Sequence, residues 1–130
     1  MKNVLKLVSE LGHLQKICHE GWRFVGIQNP KSIASHSLRA AQIGYLLAKK
    51  EGFDNPHLVC SMVVFHDMGE CRVGDIHKVA ARYVQADERG AVKDQVENLD
   101  PETKDELFSM WEDVESRRSL AGNLAKDSDL

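Results

Sequence analysis

The chain predicts an all-α fold, a single-domain bundle of five to six helices, and three observations carry that reading. Apolar residues recur at three- and four-residue steps along most of the chain. Helix-start signals stand ahead of three such windows: Ser32, Asp54 or Asn55 before Pro56, and Asp100 before Pro101. No segment alternates apolar and polar residues as a half-buried strand would, and no internal repeat or low-complexity tract is present.

Taken in order, Val4, Leu5, Leu7, Val8, Leu11, Leu14 and Ile17 predict a first amphipathic helix from about Asn3 to His19, ended by Gly21. Trp22 to Pro30 reads as a loop, because Asn29 before Pro30 is pushed out of the α region. Its length suits a functional loop better than a plain connector. Ser32 caps a second helix running to about Glu51, with Ile33, His36, Ala40, Ile43, Leu46 and Leu47 along one face and Gly52 as the stop. A third helix, Pro56 to about Cys71, carries an apolar run that predicts burial nearly all round. Residues from about His77 to Asn98 read as helical, weakened near Asp87-Glu88-Arg89-Gly90. Asp100-Pro101 opens a helix to about Arg117 through Leu107, Met110, Trp111 and Val114, and Leu120 to Leu130 begins another.

A chain of 130 residues is one domain by length and can bury a real core. Its 42% hydrophobic and 28% charged content suits a soluble globular protein. The net charge of −3, with no lysine or arginine block, excludes an electrostatically driven nucleic-acid polymer partner. No apolar run approaches the roughly 18–20 residues of a membrane span. Lys6, Glu10 and His13 interrupt the apolar positions at the N-terminus, so no signal peptide is read there. Cys18, Cys60 and Cys71 are odd in number and widely spaced, which predicts buried free thiols in a reducing cytoplasm.

The chemistry concentrates in Val63-Val64-Phe65-His66-Asp67-Met68-Gly69-Glu70, followed by Arg72-Val73-Gly74-Asp75. On a continuous helix, Asp67 and Glu70 share a face and His66 lies about 100° round from Asp67. Such a group of acids and imidazole is costly to bury unless it is paired or metallated. His36 on the second helix and Asp129 in the terminal helix complete a set of four with His66 and Asp67. Imidazole and carboxylate together, with no thiolate, suit Mn, Co or Mg, with Fe or Zn as further choices. Taken alone, His36 would read as a core histidine and Trp22 as a loop anchor. His13, His19, His57 and His77 receive no functional role.

The order His … His-Asp … Asp resembles the HD-domain metal-dependent phosphohydrolases, which are all-helical. The nearer resemblance is to the 5′-deoxynucleotidase branch, which acts on deoxynucleoside 5′-monophosphates. It rests on Gly21-Trp22, Gln28-Asn29-Pro30, Ser32-Ile33-Ala34-Ser35-His36-Ser37, His66-Asp67-Met68-Gly69-Glu70, Val73-Gly74-Asp75-Ile76 and Ala125-Lys126-Asp127-Ser128-Asp129. It covers nearly the whole chain, 1–130, and relatives continue beyond the position of Leu130, so further helices are expected there.

The resemblance implies that His36, His66, Asp67 and Asp129 are the primary metal ligands, with Asp129 rather than Asp127 in the last motif. It implies that Glu70 and Asp75 serve catalysis or, with the Ile76 carbonyl, a second ion. Trp22 matches a tryptophan that packs near the deoxyribose and excludes a 2′-hydroxyl. Two positions depart from the pattern: Ser35 stands where an acid is common, and Cys18-His19-Glu20 where an arginine often precedes Gly-Trp. Arg23, Arg39, Lys78 or Arg82 then remain to hold the phosphate. The expected partner is a small nucleotide, and the expected assembly is a homodimer. Hydrolysis of cyclic nucleotides or guanosine tetraphosphate is an alternative within the same chemistry, and a catalytically silent nucleotide-binding regulatory protein is one of another class.

Overall fold

The computed structural model describes all residues, Met1–Leu130. Its regular structure is α-helical: α1 (Lys2–Leu11), α2 (Gly21–Phe24), α3 (Ile33–Lys50), α4 (Pro56–Phe65), α5 (Glu70–Val73), α6 (Glu88–Val96), α7 (Pro101–Ser116) and α8 (Leu120–Ser128). Two of these, α2 and α5, are single turns of 4 residues. The only extended pairing is one antiparallel bridge between Cys18 and Ser32.

The cap chemistry fixes most helix starts. Ser32 Oγ accepts from the Ser35 amide at 3.1 Å at the head of α3. Asn55, Asp87, Asp100 and Ser119 likewise accept from the amides of Leu58, Gly90, Thr103 and Gly122. Each satisfies one of the donors that a helix N-terminus leaves unpaired, and each is worth about 1 kcal/mol.

Four boundaries differ from expectation. The first helix stops at Leu11 and tightens into a 3₁₀ turn over Gly12–Gln15, with only Leu7 and Leu14 buried in the two. Val4, Leu5 and Val8 face solvent instead of a core. The segment read as a loop holds the single turn α2. The third helix ends at Phe65, because the His66 amide steps back three residues to the Val63 carbonyl and the His66 ring takes the same oxygen. A side chain competing for a ladder carbonyl is a local reason for a helix to break. Nor is that helix buried all round, since Val64 is half exposed. The helix expected from His77 is replaced by a 3₁₀ turn at Ala80–Arg82 and irregular chain, and Asp87, expected in a weak stretch, is the cap that starts α6.

The chain divides into two compact units. One comprises Ser37–Asp67 and Asp100–Leu130. Its core joins Ala40, Ala41 and Ala48 of α3, Val59, Met62 and Val63 of α4, Val114 of α7, and Ala121, Leu124 and Ala125 of α8. The buried face of α3 is lined by small residues, and Leu46, expected in the core, is 66% exposed. The reason is close approach. A Cβ on Gly44 would stand 3.0 Å from Ser128 Oγ and 3.3 Å from methyls of Val59 and Val63. Interiors this dense transmit any added volume as strain.

The other unit comprises Met1–His36 and Met68–Leu99. Leu7, Leu14, Ile33, Met68, Ala91, Val92 and Val96 are its buried apolar side chains, and polar bonds join its segments as well. Arg72 donates to both Glu10 oxygens at 2.7 and 3.1 Å. Gln95 Nε2 donates to Glu10 Oε1 at 3.0 Å and to the Met68 carbonyl at 2.9 Å. The three cysteines are free, as expected, but partly exposed rather than buried. Burial, then the Glu10 charge, pushes the Cys71 thiol up to about 11, so it stays protonated near neutrality.

Candidate metal centre

His66 is the best-fixed residue of the site. It is 2% exposed, and its Nδ1 lies 2.6 Å from the Val63 carbonyl. A carbonyl can only accept, so Nδ1 carries a proton and donates it. That assignment leaves Nε2 facing outward from the turn. Asp67 Oδ2 stands 3.1 Å from it and Asp129 Oδ1 3.2 Å. Burial works against charge on the ring, but the flanking Asp129 and Asp67 carboxylates override it and push His66 up to about 10. The two carboxylates that favour a proton on Nε2 would equally favour a metal ion in its place.

The spacing suits a metal ion as well as the charge does. Ligands held about 2.0–2.2 Å from one centre, at angles between octahedral and tetrahedral, lie roughly 3.0–3.5 Å from each other. The observed 3.1 and 3.2 Å fall inside that range. His66, Asp67 and Asp129 thus bring nitrogen and oxygen donors, and no thiolate, to a spacing suited to a divalent ion. Asp129 reaches it from one residue past the end of α8, not from within the helix as expected. Asp127, two residues earlier, points to Arg117 at 2.8 Å and is more than half exposed.

Apart from Arg39, the remaining residues singled out in the sequence lie in the unit of Met1–His36 and Met68–Leu99. His36 sits in the first turn of α3 with its ring centred 4.6 Å from that of His19. Glu70 opens α5, and its Oε2 is closed to solvent. The helical register expected between Asp67 and Glu70 does not apply, because residues 66–69 form turns between α4 and α5. Asp75 Oδ2 accepts from the Glu20 amide at 2.7 Å, which ties the loop after α5 to the start of α2.

Asp75, Ile76 and Lys78 line a cavity of about 380 Å³, together with Gly21, His19, Phe24, His77 and Val79. That size lies within the range of small-molecule sites. Trp22 is 52% exposed and is not part of this lining. Arg23 is not part of it either: its guanidinium donates to Cys18 Sγ at 3.2 Å and pairs with Glu20 at 3.6 Å. Phe24 and His77 pack ring on ring, with centroids 4.9 Å apart. His19, His77 and Phe24 thus belong to the lining although the sequence assigns none of them a role. The nearness of His19 and Phe24 to Gly21-Trp22, and of His77 to Asp75, was the available signal.

The chain matches the HD domain over residues 11–130, so one domain family covers both units. A 5′-deoxynucleotidase HDDC2 from Dictyostelium discoideum is 30% identical over 99% of this chain and 73% of its own length. The Bos taurus protein of the same name is 29% identical over 98% of this chain, which spans 63% of that relative. A solved structure of a conserved hypothetical protein from Pyrococcus furiosus superposes with a TM-score of 0.78 at 28% identity, covering 96% of this chain and 72% of its own. With the His-Asp pair on its turn and the terminal aspartate beside it, the chain belongs to the HD-domain family.

Proposed function

We propose that the protein is a divalent-metal-dependent phosphohydrolase that removes phosphate from deoxynucleoside 5′-monophosphates. The observation that carries the reading is the buried His66 Nε2 set between Asp67 and Asp129 at 3.1 and 3.2 Å. The names of the relatives support the substrate class. His36, carried over from the family pattern, is proposed as a further ligand. A divalent ion held by these residues supplies charge neutralisation at a phosphoryl oxygen and lowers the pKa of water.

The chain's own residues do the rest. Glu70, one of whose carboxylate oxygens is closed to solvent, is proposed as the base that takes the proton from the attacking water. Asp75 accepts the Glu20 amide through one oxygen. Its proposed role is to fix, through that bond, the start of the segment whose Gly21 and Phe24 line the cavity. Lys78, in the same lining, is the cation proposed to meet the phosphate.

Phosphate release from dAMP, dTMP, AMP, cyclic AMP and guanosine tetraphosphate, each with Mn, Co and Mg, tests this directly. Turnover of the deoxynucleoside monophosphates that EDTA abolishes is the expected result. Turnover of only cyclic or polyphosphorylated nucleotides, or of none, would overturn it.

A further inference from the structure

We infer that Gln95 is a positioning residue whose side-chain amide captures a carbonyl released by the broken helix and thereby fixes the turn that carries Glu70. The inference rests on the phosphohydrolase reading for its kinetic consequence, and on geometry alone for its structural one.

The break after Phe65 creates the need. Residues 66–69 form turns between α4 and α5, and the Met68 carbonyl receives no amide from four residues on, so it must find partners elsewhere. The Met68 carbonyl receives the Cys71 amide at 3.3 Å, a long bond, and Gln95 Nε2 at 2.9 Å. Gln95 is the shorter of the two and comes from 27 residues away, on α6. It is 7% exposed, and Met68 is fully buried, so water has little access to the bond.

The orientation of the Gln95 amide is determined by its partners. Nε2 faces the Met68 carbonyl and Glu10 Oε1, both pure acceptors, so a flipped amide would set oxygen against oxygen. Glu10 in turn holds Arg72, two residues beyond Glu70, through both of its oxygens. The segment Met68–Arg72 is therefore gripped on either side of Glu70.

Steric evidence points the same way. A Cβ on Gly69 would stand 2.6 Å from Glu88 Cγ and 3.0 Å from a Val92 methyl. Glu88, Val92 and Gln95 recur at helical spacing along α6, so one face of that helix is pressed onto the turn. A base displaced by even an ångström loses the hydrogen-bond geometry through which it takes a proton from water.

The test uses Gln95→Leu, with Gln95→Glu as a second variant that keeps the shape and removes the donor. Val96→Ala, buried on the same helix and without a polar bond, is the control for general destabilisation. Amide hydrogen exchange reports the turn through the Cys71 and Arg72 amides, and steady-state kinetics on dAMP report its consequence. Both Gln95 variants are expected to speed exchange at these two amides at least tenfold and to lower kcat roughly 10- to 100-fold at unchanged KM. Val96→Ala is expected to lower the melting temperature and spare both readouts. Unchanged exchange, or unchanged kcat in a folded Gln95 variant, would overturn the inference. A wild-type protein inactive on every nucleotide would defeat the hydrolase reading by itself, while the exchange measurement would still decide whether Gln95 holds the turn.

Discussion

The two units of this protein are held together by different physics. The unit of Ser37–Asp67 and Asp100–Leu130 is a core of alanine, valine, leucine and methionine, packed so closely on α3 that a methyl on Gly44 would crowd Ser128, Val59 and Val63. The unit of Met1–His36 and Met68–Leu99 has fewer helical residues and binds its parts through the Glu10–Arg72–Gln95 bonds, the Asp75–Glu20 bond and a backbone bridge. Apolar packing suits a part that must present His66, Asp67 and Asp129 at fixed spacing. Directional polar bonds suit a part made of short turns and loops, which cannot bury enough surface to hold themselves.

The largest expected effect is at the presented site. His66→Ala or Asp67→Ala should abolish metal binding, measured as metal content after dialysis, and lower kcat/KM by three orders of magnitude or more. Wild-type metal content in either variant would remove the reason for so rigid a scaffold.

Leu124→Ala tests the packed unit directly. Its side chain is 6% exposed within the apolar cluster, so truncation should cost about 2–5 kcal/mol in urea unfolding. A smaller loss would mean that the core collapses round the gap and is less tightly specified than its glycine contact suggests.

Asp129→Ala links that core to its cargo. At a hundredfold excess over Kd, a bound ion should raise stability by about 2.7 kcal/mol. Asp129→Ala should remove most of that increment, read as the Mn-dependent rise in melting temperature, whereas Asp127→Ala, which loses only the exposed pair with Arg117, should keep it. The reverse pattern would shift the last ligand by two residues.

The smallest effect belongs to the polar clamp. Arg72→Ala should cost about 1 kcal/mol or less near neutral pH, since the pair is partly exposed. The Arg72 hydrogen bonds hold the Glu10 carboxyl below its ordinary value of 4.5. A depressed carboxyl stabilises the fold above its unfolded pKa and loses that contribution as pH falls through the folded one. The stability gap between wild type and Arg72→Ala should therefore narrow on acidification below about pH 4. A gap that persisted unchanged would locate the stabilisation in the arginine's aliphatic contacts.

Local chemistry made the caps legible in the sequence. Ser32, Asn55 and Asp100 accept from the amides that their positions implied, because capping is decided within three residues. The all-α class followed from periodicity for the same reason. The break at His66 was not legible, since no glycine or proline marks it before Gly69, and the cause is the His66 ring competing for the Val63 carbonyl. Leu46 was misplaced because periodicity gives a helix its apolar stripe but not its rotation. Gly44 and the alanines set the rotation by allowing neighbours closer than leucine would. The residues that line the cavity beside Asp75 are brought together by tertiary contact, so His19, Phe24 and His77 carry no local signal beyond their nearness to Gly21-Trp22 and Asp75.

The bridge between Cys18 and Ser32 has a consequence for how such a protein can change over evolutionary time. The His19 amide bonds the Lys31 carbonyl at 2.9 Å and the Ile33 amide bonds the Ile17 carbonyl at 2.8 Å, so the segment between them is sewn shut at its base. What lies inside is a cassette. It contributes Gly21 and Phe24 to the cavity wall, yet its ends leave the head of α3 anchored whatever its length or composition. Substitutions and insertions there can retune which molecule the cavity accepts while the start of the helix that bears His36 stays in place.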